Sequence, residues 1–240
     1  MFLTLLRKDW RLAKPAFLLM VVLFFVPASV GVAVTAYARI FEDKVPLLRF
    51  SNDDFADLLS LLVGGGWLCI FVGPAVAACQ FARERRERTS EFLGALPVSR
   101  GRIIRSKALT TACMLAFPLL LCFLASISAS TSNHNPFDGR TQALSMFGLL
   151  SAIFLGVCGL GWLFSCILSS EILATTAALL VSATLAFKIY LVFQVVPSLK
   201  ALSPMQRELT LTWTIAVLFA CFAIVGFIAG TIIASVRRTL

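Results

Sequence analysis

Long apolar blocks separated by short polar connectors form the basic pattern of this chain. Each block is about 23 to 26 residues long, which is enough for a helix to cross a ~30 Å hydrocarbon core. None alternates apolar and polar residues as a barrel strand does, so the pattern predicts membrane-spanning helices. The six predicted spans are 15–38, 58–82, 108–130, 144–168, 172–196 and 211–236.

Residues 1–14, before the first block, show a different pattern. At about 100° per residue, the basic residues fall on one arc and the leucines with Trp10 fall on the other. Asp9 is the exception, because it lies in the apolar arc. The pattern predicts an amphipathic helix at the membrane interface. The alternative is a frayed, positively charged flank of the first span.

Composition supports an all-α polytopic membrane protein, since 59% of the residues are hydrophobic and 14% are charged. The net charge of +9 is therefore interpreted by position, and nucleic acid is not an expected partner. Of the 21 Lys and Arg residues, four precede the first span, eight lie in 81–107 and two follow the last span. Six more lie in the loops on the other side. This bias predicts that both termini and segment 81–107 are cytoplasmic.

Few residues suggest a chemical site. His134 is the sole histidine, the spans hold no paired acids, and the seven cysteines all lie in apolar blocks. We therefore predict neither a catalytic site nor a metal site, and no disulfide framework. Lys188 is the one charge well inside a span. It either lies on a substrate path or extends its ammonium toward the outer interface.

Two further patterns concern the packing of the spans and a loop. Small residues at every fourth position of the sixth span predict close helix packing, and they are Gly226, Gly230 and Ala234. Residues 197–210 contain two prolines among apolar residues. This stretch is either a short re-entrant element or a plain loop, and the pattern does not separate the two.

Segment 81–107 is the only long polar stretch between the spans. Residues 83–96 are rich in helix formers, Pro97 stops that helix, and Ser99 can cap a second helix that begins near Arg100. A solvated basic loop is the simpler alternative. A phosphate-binding loop needs Gly-Lys-Ser/Thr, and no lysine in this chain follows a glycine. Any P-loop ATPase must therefore be a separate subunit.

The same segment resembles the signature of type-2 ABC exporter permeases. That family has E-x-x-x-G-T-x-E-x-L-L-x-x-P-V-S-R, followed by a lysine before the third span, and this stretch forms the coupling helix. The chain departs from it at Arg88, where glycine is common, and at Gly94, where a second leucine would follow Leu93. The matching residues include Glu84, Glu87, Thr89, Glu91, Leu93, Leu96, Pro97, Val98, Ser99, Arg100 and Lys107.

The resemblance implies the permease subunit of an ATP-driven exporter in a bacterial inner membrane. A second permease subunit and an ABC ATP-binding subunit would be its partners, with ATP and Mg²⁺ bound by the latter and no cofactor bound by this chain. The alternative is an ATP-independent membrane enzyme or structural bundle. The residues expected to contact the ATP-binding subunit are Glu84, Glu87, Thr89, Glu91, Phe92, Leu93, Leu96, Pro97, Arg100 and Lys107.

Overall fold

The computed structural model describes residues 2–42, 52–82, 84, 99–131, 136–195 and 204–236. Within these ranges the regular structure consists of six α-helices. They are α1 (Phe2–Glu42), α2 (Asn52–Ala78), α3 (Arg100–Thr131), α4 (Pro136–Ile167), α5 (Glu171–Val195) and α6 (Pro204–Val236).

Each helix contains one of the six predicted apolar blocks, apart from a few residues at the block ends. Among the residues whose side chains the structure describes, five helices (α1, α3, α4, α5 and α6) are long and apolar enough to cross a membrane, and α2 contributes the shorter apolar stretch Gly65–Ala78. The predicted all-α polytopic class is therefore confirmed. Of the stretch 197–210, predicted as a loop or a re-entrant element, residues 204–210 form the first two turns of α6 and residues 197–203 lie outside the described residues.

The first helix differs from its prediction, because the expected interfacial helix and the first span form one continuous element. α1 has 41 residues and contains Pro15 and Pro27 without a break. Membrane helices accept proline because neighbouring helices help to satisfy the freed backbone groups. At 1.5 Å per residue α1 is about 60 Å long, roughly twice the hydrocarbon thickness. Part of α1 therefore lies outside that core.

Local signals explain where α3 and α5 begin. The Ser99 carbonyl accepts a hydrogen bond from the Arg102 amide at 2.9 Å, as an N-cap carbonyl does, so α3 starts where the Pro97–Ser99 pattern predicts. The Ala174 amide likewise donates to the Ser170 carbonyl at 3.0 Å at the start of α5. Only residues 168–170 separate α4 from α5, so a tight turn joins these two helices.

The helices pack around α2 and α4, and the most extensive contact joins α4 to α6. Glycines permit this contact: a Cβ added to Gly226 would lie 2.5 Å from the Gly159 carbonyl oxygen. A Cβ on Gly159 would in turn lie 2.9 Å from the Ala223 Cα. The two backbones thus touch directly, as small residues allow between membrane helices.

Several contacts between helix ends show which ends share a side of the bundle. Arg100, at the start of α3, donates to the Ser235 carbonyl near the end of α6 at 3.4 Å. Cys79, just after α2, donates to Glu171 at the start of α5 with an Sγ–Oε2 distance of 3.2 Å. The beginning of α1 reaches the same end through the ion pairs described next. This end therefore holds the described part of segment 81–107 together with the first turns of the chain.

Candidate functional site

A buried lysine joins three parts of the chain at this end of the bundle. Lys107, in the second turn of α3, is 1% exposed. Its Nζ lies 2.9 Å from Glu84 Oε2 and 3.4 Å from Asp9 Oδ1. The same ammonium donates a hydrogen bond to the Gln80 carbonyl. Lys107 therefore contacts α1, α3 and the chain that follows α2.

Two further groups complete this ion-pair network, which comprises Lys8, Asp9, Glu84, Ser106 and Lys107. Lys8 Nζ lies 2.8 Å from Glu84 Oε1, so Glu84 uses one oxygen for each lysine. The Ser106 hydroxyl donates to Asp9 Oδ2 at 2.6 Å, leaving Oδ1 for Lys107. Among the described residues, each carboxylate thus has at least two partners. The two lysines and two carboxylates of the network balance in formal charge.

Burial makes the members of the network depend on one another. Asp9 is 2% and Glu84 5% exposed, whereas the Lys8 side chain at the edge of the network is 33% exposed. Removing charges from water costs several kcal/mol per ion, and loss of one partner leaves the other buried and uncompensated. The network is therefore intact only when α1, the end of α2 and α3 keep their relative positions.

Aromatic rings continue the contacts from this network toward α4 and α6. Lys107 Nζ lies 5.1 Å from the centroid of the Phe81 ring, within cation–π range. Phe81 meets Trp162 of α4 edge to face, with centroids 5.0 Å apart. Trp162 in turn lies 5.9 Å from the Phe227 ring of α6. Lys107 is thus linked to the closely packed α4–α6 pair through the rings of Phe81 and Trp162.

The predicted partner-contact residues fall into three groups. Glu84 and Lys107 point inward, into the network, so their burial favours a role in positioning segment 81–107 over direct contact with a partner. Arg100 is exposed and hydrogen-bonded to α6. The remaining seven lie outside the described residues, and their contact with a partner stays a prediction: Glu87, Thr89, Glu91, Phe92, Leu93, Leu96 and Pro97.

The other predicted site residues lie away from the network or beside its aromatic neighbours. Lys188 is exposed on α5, next to the exposed Phe187. Gly230 faces Trp162, since a Cβ there would lie 2.6 Å from the indole Cδ1. Gly226 faces Gly159, and Ala234 is buried in the cluster that contains Trp162. The three small residues of α6 therefore meet helices of their own chain.

Sequence reasoning did not identify Asp9, Lys8 or Ser106 as members of a site. A usable signal was present, because Asp9 stands in the apolar arc of an amphipathic helix. An acid on a face that packs inward needs a cation. Helix α3 carries one, Lys107, near the end that is predicted to be cytoplasmic. The pairing with Lys107 spans 98 positions, however, and no local pattern specifies a contact at that range.

Comparison with known protein families gives a match over most of the chain. A family model described as "ABC-2 family transporter protein" matches residues 3–220. Searches of curated proteins and of solved structures found no match.

Proposed function

Because this chain belongs to the ABC-2 transporter family and is thus a membrane permease of the ABC type, we propose that it exports its substrate by ATP hydrolysis on a separate subunit. Residues 3–220 carry this membership, which is most of the chain. In the proposal, segment 81–107 faces the cytoplasm of a bacterial cell and binds the ATP-binding subunit. That subunit holds ATP and Mg²⁺, and a second permease subunit completes the path.

The observation that carries the proposal is the ion-pair network at the base of segment 81–107. A docking segment transmits movement only if its ends are attached firmly to the spans. Glu84 at one end is bonded to Lys107 at the other, and both are tied to α1 through Asp9 and Lys8. A push on the segment would therefore reach α1 and α3 together, and α4 and α6 through Phe81 and Trp162.

The proposed contact surface lies between these two anchors. Phe92, Leu93 and Leu96 supply an apolar centre, and Glu87 and Glu91 supply a charged rim, which is the usual arrangement of a protein interface. Glu84 has a different role in this scheme, because its carboxylate is buried against two lysines of its own chain. Two classes of residue, contact and positioning, are thereby separable by experiment.

The test uses the permease co-purified with an ATP-binding subunit encoded by a neighbouring gene that carries the phosphate-binding loop. ATPase activity of the reconstituted complex is compared with that of the ATP-binding subunit alone. We expect the permease to stimulate it. Leu93→Ala with Phe92→Ala, and separately Glu87→Lys with Glu91→Lys, should abolish co-purification and stimulation while the permease itself remains folded.

Two controls distinguish docking from folding. Glu208→Lys reverses a charge proposed to lie on the opposite side of the membrane, and it should leave both readouts unchanged. Glu84→Lys should lower the melting temperature of the permease even without its partner, because it places a third cation in the network. Unchanged association after both contact-surface variants would refute the docking role. A permease that binds no ATP-binding subunit would favour the ATP-independent alternative.

We propose that Lys188 borders the substrate path. Its exposed position on α5 supports this, because a cation that no described residue pairs with is costly inside the membrane unless it meets water or an anion. Lys188→Met should then change substrate-dependent ATPase stimulation without changing assembly. An ammonium that only extends to the interface would leave stimulation unchanged, and Lys188→Arg should retain it in either case.

A further inference from the structure

The first turns of α1 present two chemically distinct faces. The inward face carries Asp9, which joins the ion-pair network with its neighbour Lys8. The outward face carries Arg7, Arg11 and Lys14, all exposed. Trp10, predicted on the apolar arc, borders this face and is 40% exposed. Among the described residues, no ion pair involves Arg7, Arg11 or Lys14. This outward basic face is not used by the proposed docking of segment 81–107.

The outward basic face also borders a cavity. An open cleft of about 450 Å³ is lined along α1 by Thr4, Arg7, Lys8, Arg11 and Leu12. The surface of the cleft is mostly apolar carbon, and three of its five described lining residues end in cationic groups that can attract an anion to it. Arginine binds phosphate through paired hydrogen bonds with a geometry that lysine cannot reproduce. Arg7 and Arg11 are one helical turn apart, which places both guanidinium groups on the same side of α1.

The surroundings favour a lipid over a soluble anion. α1 continues without a break from this face into the exposed apolar residues Leu18 and Leu19. The Trp10 ring lies 5.6 Å from Phe17, and the Phe17 ring lies 5.8 Å from Phe117 of α3. Tryptophan beside basic residues is typical of the level of the headgroups. A molecule with a phosphate at one end and acyl chains at the other matches this order of groups.

We propose that the outward basic face of α1 binds an anionic phospholipid. Arg7 and Arg11 hold the headgroup phosphate in the cleft, Lys14 adds a third charge, and the acyl chains follow Trp10 and Phe17 down the helix. The assignment rests on the proposed function only in placing the first turns of α1 at the membrane surface. It goes beyond that function by adding a lipid ligand.

The position of Lys8 gives this site a link to the network. Lys8 lines the cleft and also bonds to Glu84 at 2.8 Å. A headgroup phosphate in the cleft therefore lies next to the ion pair that holds the start of segment 81–107. Anionic lipid is thus expected to affect the exposed edge of the network, whereas the buried Lys107–Glu84 pair is shielded from it.

The experiment measures quenching of Trp10 fluorescence by brominated lipids in the permease alone. Trp67→Phe and Trp213→Phe remove the other two exposed indoles, and Trp162 remains as a buried reference that is 1% exposed. Trp10→Phe in the same background gives the Trp162 signal for subtraction. The protein is reconstituted in phosphatidylcholine vesicles that contain a small fraction of brominated phosphatidylglycerol or, in parallel, brominated phosphatidylcholine.

We expect brominated phosphatidylglycerol to quench Trp10 at a mole fraction at least tenfold lower than brominated phosphatidylcholine, since each basic residue contributes roughly fivefold. Arg7→Gln/Arg11→Gln/Lys14→Gln should remove this preference. Arg102→Gln/Arg105→Gln, which removes two exposed charges from the start of α3, should keep it. Arg7→Lys/Arg11→Lys, which keeps the charge and alters the phosphate geometry, should retain only part of it.

If the two lipids quench Trp10 equally in the protein that keeps all its basic residues, the proposal is overturned. The proposal is also overturned if the α1 and α3 charge variants lose the preference for phosphatidylglycerol equally, because the attraction would then come from general positive charge. If the α1 variant changes only binding of the ATP-binding subunit, the basic face is a protein contact and the lipid assignment is wrong. No part of the quenching readout requires that subunit, so failure of the proposed function is seen separately.

Discussion

Lys107 and Glu84 form a buried ion pair of 2.9 Å between the chain that follows α2 and the second turn of α3. This contact closes segment 81–107 at its base, because its two partners stand near the two ends of the segment. The contribution of this closed base to stability can be measured on the permease alone.

Lys107→Ala should strongly destabilise the permease. It leaves the Asp9 and Glu84 carboxylates buried without their shared cation, and removal of one partner of a buried pair costs about 3 to 5 kcal/mol. The melting temperature in detergent, followed by fluorescence-detected size exclusion, measures the effect. Arg105→Ala, an exposed residue of the same helix turn, is the control and should change little. Equal melting temperatures for the two variants would show that the network does not stabilise the fold.

Lys8→Ala should cost much less than Lys107→Ala. The Lys8 side chain is 33% exposed, so water replaces it beside Glu84, and such pairs typically contribute about 1 kcal/mol or less. The comparison is a melting series at low and high salt. The difference in melting temperature between the unaltered protein and Lys8→Ala should shrink as the salt concentration rises, because salt screens exposed ion pairs. A salt-independent loss as large as that of Lys107→Ala would contradict the assigned edge position.

Gln80→Met should leave stability unchanged or raise it. The Gln80 side chain is 1% exposed, and its amide oxygen and nitrogen have no hydrogen-bond partner in the part of the chain that the structure describes. A buried unpaired polar group costs about 1 to 3 kcal/mol, which an apolar side chain of similar size avoids. The backbone carbonyl that accepts from Lys107 is retained in the variant. A marked drop in melting temperature would indicate that the amide has a bound partner in the membrane.

Gly226→Ala should separate α4 from α6. The new methyl group would lie 2.5 Å from the Gly159 carbonyl oxygen, and this backbone atom cannot turn away as a side chain can. Overpacking of this kind typically costs about 1 to 3 kcal/mol. Gly148→Ala is a matched control within α4, because nothing lies within 4 Å of its added Cβ. The control substitution should be neutral or mildly stabilising. A similar loss of stability in both variants would therefore exclude a specific contact between Gly226 and Gly159.

The helices were predictable because bilayer thickness sets the length of an apolar block, and every block gave a helix. The continuity of α1 through Pro15 was not, since proline predicts a break when neighbouring helices are unknown. Gly226 and Gly230 were recognised as packing positions, but their partners Gly159 and Trp162 were not. Side-chain pattern gives the face of a helix that packs, and only the three-dimensional arrangement gives its partner.

The candidate site was predictable only in part for the same reason. Glu84 and Lys107 were singled out by their resemblance to a family signature, and the structure brings them together. Their burial could not be anticipated, because it depends on Asp9 and Ser106 from distant parts of the chain. Charged residues near a predicted loop are normally assigned to solvent, and this assumption fails where α1 covers them.

The distance along the chain between Asp9 and Lys107 also constrains how the protein is made. Asp9 leaves the ribosome 98 residues before its cation does, so α1 enters the membrane with an acid that has no partner yet. The contacts between Asp9 and α3 can form only after α3 has been synthesised. A nascent chain that ends before Ser106 therefore lacks both of these partners, the Ser106 hydroxyl and the Lys107 ammonium.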